Sequence, residues 1–145
     1  VSKVLKEAIL FLKEKEGSTL DKLLRFDFIE LSGRRTVGKV IVEEGKLQPF
    51  GLMHGGLSLV LIESLASVGA WLRLIEDGDY QTLHEVPGVV GLEINASHLR
   101  GVKYGEEILG VSEPVRVGRR HQVWEGKVYK GEELVSVGRV TLVVK

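Results

Sequence analysis

The chain has 145 residues, 20 Lys plus Arg against 20 Asp plus Glu, no cysteine and four histidines, which suits a single domain over 1–145 with a real hydrophobic core. The zero charge balance excludes a basic nucleic-acid or membrane-surface binder and leaves any anion site to a local cluster. The absent cysteines exclude disulfides, thiolate metal sites and cysteine nucleophiles, and with no recognisable targeting pattern they predict a cytoplasmic protein.

Val4, Leu5, Ala8, Ile9 and Leu12 recur at helical spacing among lysines and glutamates, with Gly17 as a stop, so 1–17 reads as an amphipathic N-terminal helix. A short helical piece from Thr19 to Leu24 leads into a strand from Phe26 to Leu31, with Phe26 and Phe28 alternating against Asp27 and Ile29. After a turn at Ser32-Gly33, the β-branched stretch Arg35 to Glu43 gives a second strand, and the two predict a hairpin.

Leu57 to Leu74 carries only Glu63 and Arg73 as charged residues, and its apolar residues fall on every side of a 3.6-residue helix. Such a helix is expected to be buried all round. The central Glu63 and Ser58, Ser64 and Ser67 argue against a membrane span. Pro49, Gly51, Gly55 and Gly56 turn the chain sharply into this helix, leaving unpaired N–H donors at its N-terminus beside Gln48 and His54. A carboxylate in the middle of an apolar helix costs several kcal/mol to desolvate, which marks Glu63 as a candidate site residue. Ser67, one turn on, could hold that carboxylate or a water. The plainer alternatives are a structural Glu63 paired with an arginine, and a His54 that hydrogen-bonds within its own Gly-rich turn.

Ile75 to Gly88 shows neither period and reads as a loop, after which strands are expected over Val89 to Leu99, Glu107 to Val117, His121 to Tyr129 and Leu134 to Val144. In the first of these, the even positions Leu92, Ile94 and Ala96 are apolar, which places His98 at the end of the buried face. A histidine there is either a satisfied core residue or a ligand contact. The turn from Arg116 to His121 puts Arg116, Arg119 and Arg120 around Gly118, either as a solvated hairpin tip or as a phosphate clamp. His54, His84, His98 and His121 show no metal-ligand spacing, so no metal is expected. Six strands and one fully apolar helix imply an α+β fold, an antiparallel sheet curled around a long central α-helix, with a second subunit closing the remaining helix face and sheet edge.

Three blocks in order, Gln48-Pro-Phe-Gly-Leu-Met-His-Gly-Gly with Glu63-Ser-Leu-Ala-Ser67, Val90-Gly-Leu-Glu-Ile-Asn-Ala-Ser-His98-Leu-Arg100, and Gly118-Arg-Arg-His-Gln-Val-Trp124, resemble the hotdog-fold acyl-CoA thioesterases. The likeness is to the branch of 1,4-dihydroxy-2-naphthoyl-CoA thioesterases of menaquinone biosynthesis and the phenylacetate-type enzymes. It covers about Val42 to Lys145, leaving out the segment before Gly45 and a longer loop at Ile75 to Gly88. The resemblance implies that Glu63 is the nucleophile or general base and that the Gly55 N–H polarises the thioester carbonyl. Gln48 and His54 would orient the thioester, and Ser67 would position water or substrate. Gly91, His98, Leu99, Arg100 and Gly101, with Arg116, Val117, Gly118, Arg119, Arg120 and His121, would contact substrate and CoA. It implies no cofactor, CoA being part of the substrate, and a homodimer or homotetramer. The same fold also serves hydratases and acyl-CoA-sensing modules without catalysis, but the chain carries Glu63, no hydratase Asp–His motif and no basic arm.

Overall fold

The computed structural model describes residues 2–14 and 19–145. Helix α1 spans Lys3–Glu14 and the short α2 spans Leu20–Leu23; β1 (Asp27–Leu31) and β2 (Thr36–Ile41) follow, then α3 (Gly55–Asp77). The rest is strand: β3 (Val89–His98), β4 (Glu107–Val117), β5 (His121–Lys130) and β6 (Glu133–Val144). All neighbours pair antiparallel in one six-stranded sheet of order β1-β2-β4-β5-β6-β3, which leaves β1 and β3 at the edges. The expected hotdog architecture and the β1–β2 hairpin are present. The helix stop expected at Gly17 lies outside the described residues.

Alternation along the strands sends Val40, Ile108, Trp124, Val128, Val140 and Leu142 to one face, where Leu57, Leu61, Ile62, Leu65, Ala66 and Ala70 of α3 bury against them. The helix and sheet approach closely at Gly69, where an added Cβ would lie 2.4 Å from the Trp124 ring. The indole cannot drift away, because its Nε1–H donates to Gln122 Oε1 at 2.8 Å and Gln122 Nε2 donates to the Ala70 carbonyl at 3.2 Å. Thr36 Oγ1 similarly donates to the Leu65 carbonyl at 2.9 Å. These buried polar groups are thus paired, and each ties a strand to the helix backbone. By length and composition α3 could cross a membrane, yet 56% of its apolar window is buried within the protein, as befits a core helix.

Three expectations are corrected. The helix does not stop at Leu74: Arg73 Nε pairs with Asp77 Oδ2 at 2.8 Å one turn on, Ile75 is buried, and the Gly78 N–H closes the last turn on the Leu74 carbonyl. What was expected as a featureless loop contains a 3₁₀ turn, Leu83–Glu85, capped by Thr82 and Glu85. Buried Val4 and Ala8 of α1 join Leu72, Ile75 and Val86 in a second apolar cluster, and Phe11 meets Trp71 with ring centroids 6.0 Å apart. The third correction concerns all-round burial. The sheet covers one side of α3 and α1 covers its C-terminal half, but a stripe through Leu59, Val60, Glu63 and Ser67 stays half-exposed in the single chain.

Gly69→Ala should therefore overpack the Trp124 contact and cost about 1–3 kcal/mol. Urea denaturation measures it; a midpoint unchanged from wild type would show that the helix and sheet have slack at this point.

Candidate active site

The N-terminus of α3 is set by the turn before it. Gln48 Oε1 accepts the Phe50 N–H at 2.5 Å and, more weakly, the Leu52 N–H at 3.4 Å, and the Gln48 N–H donates to the Leu52 carbonyl at 2.7 Å. His54 is the N-cap: its Nδ1 accepts the Gly56 N–H at 2.8 Å. The reading of His54 as part of its own turn is correct for Nδ1, and it has a chemical consequence. A neutral ring that accepts at Nδ1 carries its proton on Nε2, as an outward donor. The Gly55 N–H has no acceptor among the described residues.

Gly55 lacks a side chain because His98 is there. An added Cβ would lie 2.7 Å from His98 Nε2, while His98 Nδ1 is 3.1 Å from the hydroxyl of buried Ser136 on the neighbouring strand. An open cleft of about 390 Å³ runs between Gln48, Gly55, His98, Leu99, Arg100 and Gly101. The structure thus brings six of the expected residues to one place. His98 lies on the helix-facing side of β3 as expected, but it is exposed rather than a core residue.

Glu63 stands elsewhere, eight residues further along α3, about 12 Å along the axis. It is half-buried rather than buried, and its carboxylate has no hydrogen-bond or ion-pair partner among the described residues, so the arginine-paired alternative is not what the structure holds. Ser67 does not hydrogen-bond to it. The carboxylate instead lies against the bare backbone of Gly91: a Cβ there would be 3.2 Å from Glu63 Cδ and Oε2. A β-bulge makes this contact possible. The register of β3 against β6 slips between Gly91 and Glu93, so Gly91 faces the helix together with Ile94, Ala96 and His98. Leu92, expected on the buried face, is the unpaired residue of the bulge and is 64% exposed.

A second bulge, between Pro114 and Arg116, moves Arg116 off the helix face, so that it pairs with outward Val123 rather than a core position. Arg116, Arg119 and Arg120 are exposed, the Arg116 guanidinium folding over Gly118, and none has an ion-pair partner among the described residues. The turn is not part of the Gly55 cleft. His121 and Val90 both pair with Val143, which places the arginine turn with Val117 and Gly118 at the Gly91 end of the sheet, opposite the His98 end.

One arrangement was missed from the sequence. A cavity of about 560 Å³ lies beneath α1 and β1, walled by Phe11, Phe26, Phe28 and Val68 of α3, with Asp21 in its wall. Asp21 Oδ1 accepts the Ser64 hydroxyl at 2.5 Å. Burial pushes the Asp21 carboxyl above the ordinary carboxylate range, opposed by the Ser64 hydrogen bond. An Asp in the first turn of a short helix usually signals nothing beyond a solvated charge near the helix N-terminus, so the sequence offered no warning. Ser136 was detectable as a polar residue on the inward period of β6.

This fold, with an unpaired N–H donor at a helix N-terminus and an unpartnered carboxylate further along the same helix, has known relatives. The model of the thioesterase superfamily matches residues 50–143. The chain belongs to that superfamily. It is 37% identical over 129 residues to the 1,4-dihydroxy-2-naphthoyl-CoA thioesterase 2 of Arabidopsis thaliana, covering 83% of this chain and 76% of the relative. It is 35% identical over 127 residues to the 1,4-dihydroxy-2-naphthoyl-CoA hydrolase of Listeria monocytogenes, covering 87% and 95%. The crystal structure of a Haemophilus influenzae thioesterase superposes with a TM-score of 0.78 at 28% identity, covering 100% of this chain and 92% of that one. The Escherichia coli PaaI protein superposes at 0.81 with 15% identity, a likeness of fold. The protein is accordingly a thioester hydrolase of hotdog fold.

The raised native pKa of Asp21 has a definite sign in this thioesterase. The folded state binds that proton more tightly than the unfolded chain, so the contribution to stability is present below the unfolded value of about 3.9 and is lost as pH rises through the native value. Asp21→Asn, which keeps an acceptor for Ser64, should flatten this slope and melt at neutral pH no lower than wild type. Melting curves from pH 3 to 8 test this, and a neutral-pH melting point several degrees below wild type contradicts it.

Proposed function

We propose that this thioesterase hydrolyses an aroyl-CoA, of the 1,4-dihydroxy-2-naphthoyl type that the Arabidopsis and Listeria relatives are named for, to the free acid and CoA at a site shared by two copies of the chain. Such an activity would belong to menaquinone biosynthesis. The observation that carries the shared site is the separation of Glu63 from the Gly55 N–H along one helix, each facing a different end of the same edge strand. Glu63 sits over Gly91, and Gly55 sits under His98. Edge strand β3 is long and unpaired on one side, with Val90 44% and Leu92 64% exposed. The uncovered stripe of α3 runs beside it. Exposed edges of this kind call for a partner. Antiparallel pairing of β3 with its copy about an axis at Asn95, each Asn95 facing its copy, sets helix-facing Ile94 opposite the partner's Ala96 and, the bulge at Leu92 taking up one residue, Gly91 opposite the partner's His98. Glu63 then faces the partner's Gly55, and the apolar stripes bury against each other. Two such dimers give the tetramer that the resemblance implies.

In that arrangement the Gly55 N–H, at the positive end of α3, stabilises the charge that develops on the thioester oxygen. The Gln48 amide and the His54 Nε2–H orient the thioester. Glu63 from the other copy attacks the carbonyl carbon or removes a proton from the attacking water, with Ser67 positioning that water. Direct attack by Glu63 breaks the C–S bond to give a mixed anhydride that water then hydrolyses, and base catalysis adds the water directly; on either route the free acid forms and a proton from the water ends on the CoA sulfur, which leaves as the thiol. His98, Leu99, Arg100, Gly101 and Gly91 line the path of the substrate. The turn Arg116, Val117, Gly118, Arg119, Arg120 and His121 supplies guanidinium groups for CoA phosphates.

Glu63→Gln keeps the volume and removes the charge, so turnover should fall about 10²- to 10⁴-fold or more while the melting temperature holds. The measurement is kcat for CoA release from a panel of aroyl- and straight-chain acyl-CoAs, beside a melting curve. Turnover within a few-fold of wild type would remove Glu63 from the mechanism.

A further inference from the structure

We propose that Ser136 is a positioning residue for hydrolysis: its buried hydroxyl holds His98 in the tautomer protonated at Nε2, and that N–H is a second donor, beside the Gly55 N–H, to the thioester oxygen. This rests on the reading of Gly55 as a donor to that oxygen. Ser136 is fully buried on the inward side of β6 with Val140 and Leu142, where packing alone calls for an apolar side chain. Its hydroxyl meets one polar atom among the described residues, His98 Nδ1 at 3.1 Å, on the paired position of β3. A buried hydroxyl with a single polar neighbour satisfies its proton by donating to that neighbour. Nδ1 is then the acceptor, and the neutral ring carries its proton on Nε2. The backbone that follows the ring is held to the same strand, since the Leu99 and Arg100 N–H groups both donate to the Val135 carbonyl, at 2.7 and 3.4 Å.

The ring lies across the start of α3. A Cβ on Gly55 would be 2.7 Å from Nε2 and 3.0 and 3.1 Å from its ring neighbours Cε1 and Cδ2, distances that put that position over the ring face beside Nε2. The Nε2–H bond lies in the ring plane, so it points past Gly55 rather than into it, and it has no acceptor among the described residues. A Cβ stands about 2.5 Å from its own backbone nitrogen, which brings Nε2 within about 5 Å of the Gly55 nitrogen. At a helix start the Cβ direction leans toward the N-terminus, the way the free N–H groups point. One oxygen can therefore sit about 2.9 Å from both donors. Two preorganised donors on that oxygen stabilise the charge that develops as the carbonyl carbon is attacked. His98 keeps its proton throughout, and Ser136 acts only through His98.

The test has two readouts, taken on wild type, Ser136→Ala, His98→Ala and the double variant, each shown by its melting curve to be folded. The first is kcat and KM for the best-hydrolysed aroyl-CoA of the panel. His98→Ala should lower kcat about 10²- to 10³-fold, as loss of one such donor does. Ser136→Ala should lower it about 3- to 10-fold, the net worth of one hydrogen bond, and KM should move less than kcat in both. Adding Ser136→Ala to His98→Ala should cost less than about twofold, because nothing is left to position. The second readout is the infrared stretch of the isotope-labelled ketone carbonyl of phenacyl-CoA, an unreactive analogue. Binding to wild type should lower it from its position in water, binding to Ser136→Ala should lower it less, and binding to His98→Ala least. A His98→Ala enzyme with kcat near wild type, or a carbonyl shift that every variant keeps, would overturn the assignment and leave Gly55 as the donor. A Ser136→Ala loss that persists in full without His98 would overturn the positioning role. No carbonyl shift in any form, wild type included, would overturn the reading of Gly55 as well. A His98-dependent shift with no thioester hydrolysed would uphold the donor pair and overturn the proposed reaction.

Discussion

A helix that is apolar on every side can be buried by one sheet over only part of its circumference, and in α3 each remaining part has a different fate. The sheet takes the side of Leu61, Leu65 and Ala66; α1 covers the C-terminal turns through Leu72 and Ile75. The stripe through Leu59, Val60, Glu63 and Ser67 has no cover of its own. The proposed reacting carboxylate lies on that stripe. The surface that most needs a partner therefore carries the residue that most needs a second half of a site, and burial and catalysis favour the same association.

The bulges in β3 and β4 connect the sheet to the site. A strand with unbroken alternation would place Gly91 outward and Leu92 inward, closing the space where the Glu63 carboxylate lies. The slip at Leu92 exchanges them, so an apolar residue goes to the exposed edge and a residue without a side chain faces the carboxylate. The slip at Val115 sends Arg116 outward in the same way. In both cases one unpaired residue re-aims the side chains beyond it, as bulges near functional sites commonly do.

Much of the architecture was legible because it rests on local pattern. The composition of Leu57 to Leu74 announces a core helix, and the long strands after Val89 fall within a residue of where alternation and glycine turns put them. The resemblance marked Gln48, Gly55 and His98 to Gly101 as site residues in separate roles, and their meeting in one cleft is a product of the fold. What escaped depends on register or on distant contacts. The parity of Leu92 cannot be read without knowing how β3 pairs with β6. The half-exposure of Glu63 depends on which surfaces one chain can cover. The Asp21–Ser64 contact joins residues 43 apart in sequence, neither of which stands out alone. The helical extension to Asp77 rests on the Arg73 ion pair and a buried Ile75, both of which a window ending at the last apolar run passes over.

Mixing two inactive variants tests the shared site most directly. Glu63→Gln removes the carboxylate half and Gln48→Ala the orienting half. After subunit exchange, verified by mass spectrometry of the mixed dimer, about half the dimers are mixed. Each of these carries one intact site, so activity should return to about a quarter of wild type. Verified mixed dimers with no activity above that of the parent variants would place Glu63 and Gln48 in the same copy's site and contradict the account.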